Sequence, residues 1–245
     1  MITGRSLATR LSALAARVPF DLAVLPGLDA TAAPGPDTTA LPAPVPPAER
    51  EVLRHLGGFS VPPVEVRLTG HPRQRSNPAL PDLRQVVADD GGGGLTWVDI
   101  APDGTWGQVL MQYREGGLYV QAPSLAVWLD RLVTTAEDLV DEIGFEDGVQ
   151  PYADEFWDAL HPDGPSLPLH PAPSLRTDAT DAADPTLAAL ARHVPDNALV
   201  ADLRDAAPGS HARFDRACGP HRLLRAADAP VFAAVPWDWQ HDRPR

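Results

Sequence analysis

Residues 86–136, VVADDGGGGLTWVDIAPDGTWGQVLMQYREGGLYVQAPSLAVWLDRLVTTA, decide the fold. Glycines at 91–94 make a turn, and three short strand-like runs follow at 95–100, 108–113 and 118–121. Asp103-Gly104 and Glu115-Gly116-Gly117 supply the turns between them. Ser124 then caps a helix whose Leu125, Trp128, Leu129, Leu132 and Val133 recur at i, i+3, i+4, i+7 and i+8, a core-facing stripe. Upstream, residues 64–68 (VEVRL) alternate apolar and charged as a strand with one wet face does, and residues 85–88 give another strand. A meander of antiparallel strands with helices before and after it is an α+β layer.

Further outward the signals thin. Residues 4–18 read as an amphipathic helix with Leu7, Leu11, Leu14 and Val18 on one face, packing on the body or on a partner. A Pro/Ala linker at 29–45 buries too little apolar area to order itself alone. After Pro46 and Pro47 a helix turns Val52, Leu53 and Leu56 inward, and Gly57-Gly58 can stop it at a left-handed position. Asp184-Pro185 is a helix-start pair, with Leu187, Leu190, Ala191 and Val194 as the inner face. With strands expected at 198–203 and 231–235, residues 180–245 form a small C-terminal α/β appendage. The expected organisation is a helix at 1–28, the linker, a core domain at 46–136, an acidic segment and loop at 137–179, and the appendage.

Composition narrows the function classes. The chain has 245 residues, 44% apolar, with a net charge of −13, and all 20 basic residues are Arg. That balance argues against binding a phosphate backbone and favours steered encounter with a basic partner. Cys218 is the only cysteine, so no intrachain disulfide forms, which suits a reducing cytoplasm. Arg10 and Arg17 interrupt the N-terminal apolar run, leaving no signal-peptide core, and no stretch is long enough to span a membrane. Cytoplasmic residence is expected.

No catalytic, cofactor or metal constellation emerges. The glycines at 91–94 lack the Lys of a phosphate loop and lead into a strand. Asp89, Asp90 and Asp99 miss the spacing of a calcium loop and read as a solvated turn whose side chains bond backbone N–H groups. Cys218 with His211 or His221 lacks the further thiolates of a structural zinc site. Trp97 and Trp128 read as core, whereas Trp106, between Gly104 and Gly107, is expected to be exposed and interactive.

The strongest surface signal is acidic. Between Leu132 and Leu175 there is no Arg, while ten acids occur, so the local field is expected to be one-signed. Candidate partner-binding residues are therefore Glu137, Asp138, Asp141, Glu142, Glu146, Asp147, Asp154 and Glu155, with Asp89, Asp90 and Trp106 from the turns. Such a surface accelerates association with a basic protein, and salt weakens the effect.

The ordered set PPAEREVLRHLGGF, VRLTG and residues 80–133 resembles the SUKH superfamily, which includes the Knr/Smi-type regulators of yeast cell-wall assembly and many bacterial proteins. Gly57-Gly58-Phe59, the DDGGGG-to-WVDI turn-strand, the strand at Gly107-Gln108-Val109 and the helix of Ser124, Leu125, Trp128 and Leu129 carry the likeness. The resemblance implies an antiparallel sheet with helices packed to one side, and no enzymatic activity. It also implies a role like that of bacterial immunity proteins, which bind a toxin domain, often a nuclease, and block it. The alternative it leaves open is a regulatory scaffold with an endogenous partner. A thiol–imidazole enzyme built on Cys218 ranks last.

Overall fold

The computed structural model describes residues 2–28, 45–74, 79–113, 116–143, 145, 148–161, 164–177, 184–214 and 221–237. The linker lies almost wholly outside them, as do Glu146, Asp147 and Cys218. The architecture is mixed α+β, built in four layers around two antiparallel sheets.

The larger sheet contains the expected meander. Strands β3 (Val64–Arg67), β4 (Arg84–Asp89), β5 (Leu95–Ile100), β6 (Trp106–Gln112) and β7 (Gly117–Ala122) pair in chain order. β1 (Val24–Pro26) and β2 (Leu56–Val61) extend it on one side, and β10 (His211–Arg213) closes it on the other. β3 shows the anticipated alternation of buried and exposed positions, but all six residues of β5 are buried. A strand covered on both faces has no wet side: Val98 and Ile100 face the helices, while Leu95 and Trp97 face the second sheet.

Helices α1 (Gly4–Ala15), α2 (Pro47–His55), α3 (Leu125–Glu142) and α4 (Gln150–Leu160) cover the first face. Thr3 caps α1 in a reciprocal capping box with Ser6, and Leu7, Leu11 and Leu14 are fully buried, so this helix packs on the body. Ser124 caps α3 as its sequence indicates, and the whole apolar stripe is buried. Aromatic side chains hold the described part of the acidic stretch after residue 136. Tyr152 of α4 stacks on Phe156 at 5.8 Å and meets Phe20 and Phe145, sealing α4 to the helix layer.

The C-terminal unit covers the second face. Its sheet runs β11 (His221–Arg225), β12 (Val231–Pro236), β9 (Leu199–Asp202) and β8 (His170–Pro171), with α5 (Ala172–Thr177) and α6 (Pro185–Arg192) outside it. Asp184 and Pro185 start α6 as expected, Asp184 accepting from the N–H groups of Thr186 and Leu187. This unit shares a core with the meander, Trp97 packing edge-on against Phe232 at 5.9 Å, and it lends β10 to the larger sheet.

Two local expectations are corrected. Gly57 and Gly58 do not stop α2 in a left-handed cap; they are the second and third residues of β2. A Cβ on Gly57 would lie 2.1 Å from the Pro26 carbonyl oxygen, and one on Gly58 would lie 2.1 Å from that of Val66. Glycine is required there because β1 and β3 close in from either side. Trp106 is likewise not exposed: it opens β6 at 8% exposure and joins the core beneath the helices. Its flanking glycines suggested a loop tip, but the preceding turn ends at Thr105 and the ring points inward.

Candidate functional site

The candidate acids divide into three environments. Asp89 ends β4, Asp90 follows it, and both brace the glycine turn. Asp89 accepts from the Gly91 N–H at 2.7 Å, and Asp90 accepts from Gly92 and Gly94 at 2.7 and 2.8 Å. Arg73 also reaches Asp89, at 3.0 Å. Asp99 departs from that reading. It is 2% exposed on β5 and pairs with Arg225 of β11 at 2.7 Å, a bond between the two sheets.

The second group is compensated, contrary to the expected one-signed field. Arg10 of α1 bonds Glu137 through Nε at 3.1 Å and Asp130 through a terminal nitrogen at 2.6 Å. Arg17, just past α1, pairs with Asp141. Counting Arg only within the segment missed these, because the neutralising cations come from 120 or more residues away in sequence. A spacing of seven between Arg10 and Arg17, two helical turns, was the available signal.

Asp138, Glu142, Asp154 and Glu155 form the third group, exposed and outside every ion pair found among the described residues. α3 and α4 pack side by side, and Arg131 near the start of α3 donates to the carbonyls of Ala159 and Leu160 at the end of α4. The pair is therefore antiparallel, which runs the acidic end of α3 alongside the first half of α4, where Asp154 and Glu155 lie in mid-helix. Glu137, Asp138, Asp141 and Glu142 occupy the closing turns of α3, and its last turn contains no basic residue. Negative charge at a helix C-terminus opposes the macrodipole, and like charges four apart repel. Replacing Asp138 and Glu142 by Asn and Gln is expected to stabilise the fold by about 0.5–1.5 kcal/mol at low ionic strength. The gain should shrink with added salt, as chemical denaturation in low and high salt will read.

Two other features adjoin the sheets. A cleft of about 880 Å³ opens between them, bordered by Leu83, Ile100, Leu190, His193, Arg222 and Leu224. Beside α4, half-buried rings continue the helix-covered face: His211 of β10 stacks on Tyr119 of β7, Tyr119 meets Tyr113 just past β6, and Tyr113 abuts Trp157 and His161. Burial pushes the His161 imidazole below its ordinary value, against the opposing pull of its bond to the Trp157 carbonyl. Sequence reading placed the two tyrosines on strands but could not bring His211 to them, because nothing in residues 211–213 announces a strand of the larger sheet.

Among the described residues, no group of three or more His, Cys, Asp or Glu is arranged to hold a metal ion, and no helix is long and apolar enough to cross a membrane. No protein-family model, curated protein or solved structure matches the chain.

Proposed function

We propose that this chain is a non-catalytic, cytoplasmic protein-binding protein of the immunity type, which neutralises a basic toxin domain by occluding its active site. The observation that carries the reading is the acidic end of the α3–α4 pair. There four exposed acids on two packed helices stand outside every ion pair found among the described residues, two of them set against the dipole of their own helix. Local rules broken at a cost in stability mark functional surface. A field of this sign accelerates encounter with a cationic partner and favours its correct orientation. The net charge of −13 acts in the same direction, and the resemblance to the SUKH superfamily supplies the role. Its scaffold branch, with an endogenous partner, is the competing reading.

The partner to test is a toxin domain encoded beside this gene. Its association rate with the full chain should fall roughly tenfold or more between low and physiological salt, and fall again in the Asp138→Asn/Glu142→Gln protein. A rate indifferent to both salt and substitution contradicts the reading.

A further inference from the structure

The cleft between the two sheets opens onto the free edge of a strand. β11 ends the smaller sheet, with β12 on one side of it only. Along that strand the main-chain groups alternate in direction, as antiparallel pairing requires. Ala226, just past β11, donates its N–H to the Val231 carbonyl across the hairpin at 2.8 Å. Leu223 instead donates out of the sheet, to the Ala79 carbonyl at 2.7 Å. Arg225, two residues from Leu223 and opposite Phe232, therefore turns its N–H and C=O away from β12 as well. No backbone group from outside the smaller sheet bonds them among the described residues. The segment that covers Leu223 goes no further along the edge, because Pro81, two residues past Ala79, has no N–H with which to continue the pairing.

The space beyond that edge is apolar. Leu83, Ile100 and Pro102 border it on the side of the larger sheet, and Ala189 and Leu190 of α6 border it on the other. Leu83 is 40% exposed, one of three large apolar side chains so placed among the described residues. A volume of about 880 Å³ suits a small organic molecule.

Charge sorts the occupants. Two acids, Asp82 and Asp228, and two arginines, Arg222 and Arg225, line the cleft together with His193. Arg225 is committed to Asp99 and to the carbonyls of Ala226 and Ala227, while Asp228 accepts from the Thr186 hydroxyl at 2.9 Å. Asp82, Arg222 and His193 are exposed and stay hydrated. The signs balance, so an ion entering between the apolar walls gives up its water without meeting an unpaired counter-charge. A neutral molecule pays no such penalty, and the outward N–H and C=O of Arg225 offer it one donor and one acceptor.

We propose that the cleft is a binding site for a neutral, mainly apolar small molecule of the acylated amino-acid amide type. One amide N–H of the ligand donates to the Arg225 carbonyl and the next amide carbonyl accepts from the Arg225 N–H, as a residue of an added strand would, while its apolar side chain lies between Leu83 and Leu190. The cleft lies on the C-terminal side of the larger sheet, away from the α3–α4 acids, so failure of the protein-binding reading leaves it standing.

The test titrates the full chain with the N-acetyl methylamides of leucine, valine and phenylalanine, up to their solubility, while backbone amide and Leu methyl resonances are followed by NMR. Saturable shifts are expected at the Arg225 N–H and at the Leu83 and Leu190 methyls. N-acetyl-leucine, a carboxylate, and leucine methylamide, an ammonium, should bind about tenfold more weakly or worse. N-methylation of the leucine nitrogen, which removes the donor to Arg225, should weaken binding about three- to tenfold. Ala189 is exposed, so Ala189→Trp should block the cleft and abolish the shifts while leaving the urea midpoint unchanged. If that midpoint falls, Leu83→Ser at the mouth gives the same reading, with binding weakened about threefold or more. The absence of saturable shifts with all three diamides would overturn the proposal. So would equal binding of the charged or N-methylated analogues, or wild-type affinity in a folded Ala189→Trp or Leu83→Ser protein.

Discussion

Gly57→Ala should lose roughly 3 kcal/mol or more of stability, enough to leave much of the chain unfolded if its total lies in the usual range of about 5–15 kcal/mol. The new methyl carbon would sit 2.1 Å from the Pro26 carbonyl oxygen and 3.1 Å from the carbon it belongs to, both backbone atoms. Relief therefore requires β1 to leave β2, and with it the register that sets Val24 opposite Phe59. Gly58→Ala meets the Val66 oxygen at the same distance and adds backbone strain, because its φ of 152° is one that L side chains rarely adopt. Gly92→Ala is the control: its φ is not positive, and the nearest atom is an Asp90 side-chain oxygen at 3.5 Å. It should change stability by less than about 0.5 kcal/mol. Urea midpoints of the three proteins check the prediction, and a Gly57→Ala protein as stable as Gly92→Ala would refute the tight apposition of β1 and β2.

Arg225→Met is the second large effect, at about 3–5 kcal/mol near neutral pH, because it strands the Asp99 carboxylate between two sheets. In the native protein the two side chains are 9% and 2% exposed, so water cannot replace the lost partner. Burial holds the Asp99 carboxyl above its ordinary value, and the hydrogen bond and charge of Arg225 pull it back down without cancelling the shift. The sign follows from linkage. A carboxyl that binds its proton more tightly in the folded state contributes most below its unfolded value of about 3.8, and that contribution falls as pH rises through the folded value. Without Arg225 the folded value climbs further, so the deficit of the variant should be small at acid pH and grow toward neutrality. Asp184 and Asp202 behave oppositely: bonds from Arg204 and backbone N–H groups hold both below the ordinary range, so their contribution is lost as pH falls. Those losses are common to both proteins and cancel in the comparison. Arg225→Met with Asp99→Leu should recover most of the stability at neutral pH, since a packed apolar pair commonly replaces a buried ion pair without loss. A deficit in Arg225→Met that does not change with pH would contradict the account.

How far the sequence revealed this protein depended on the range of the interactions involved. The β4–β7 meander and the cap at Ser124 are local events, written in period-two runs, turn dipeptides and one i, i+3, i+4 stripe, and they were legible almost to the residue. The start of α6 at Asp184-Pro185 was legible for the same reason. β2 was not, because Gly57 and Gly58 look like a helix stop until β1 and β3 are placed beside them. The acids of α3 stand out in the sequence by composition alone, but Arg10 and Arg17 had to fold onto Glu137, Asp130 and Asp141 before the compensated acids separated from the unpaired ones. Trp106 was misread because a tryptophan between glycines carries no periodicity of its own. The joining of Tyr119 to His211 is a pairing across about 90 residues, which no local pattern encodes.

The measurement that tests the central claim most directly is inhibition. The DNA flanking this gene would be read for a large exported protein, and the C-terminal domain of that protein produced alone and together with this chain, its toxic activity titrated with the purified chain. The account predicts survival on co-expression and loss of activity at a one-to-one ratio. Undiminished activity at saturating chain, with no complex formed, would contradict it.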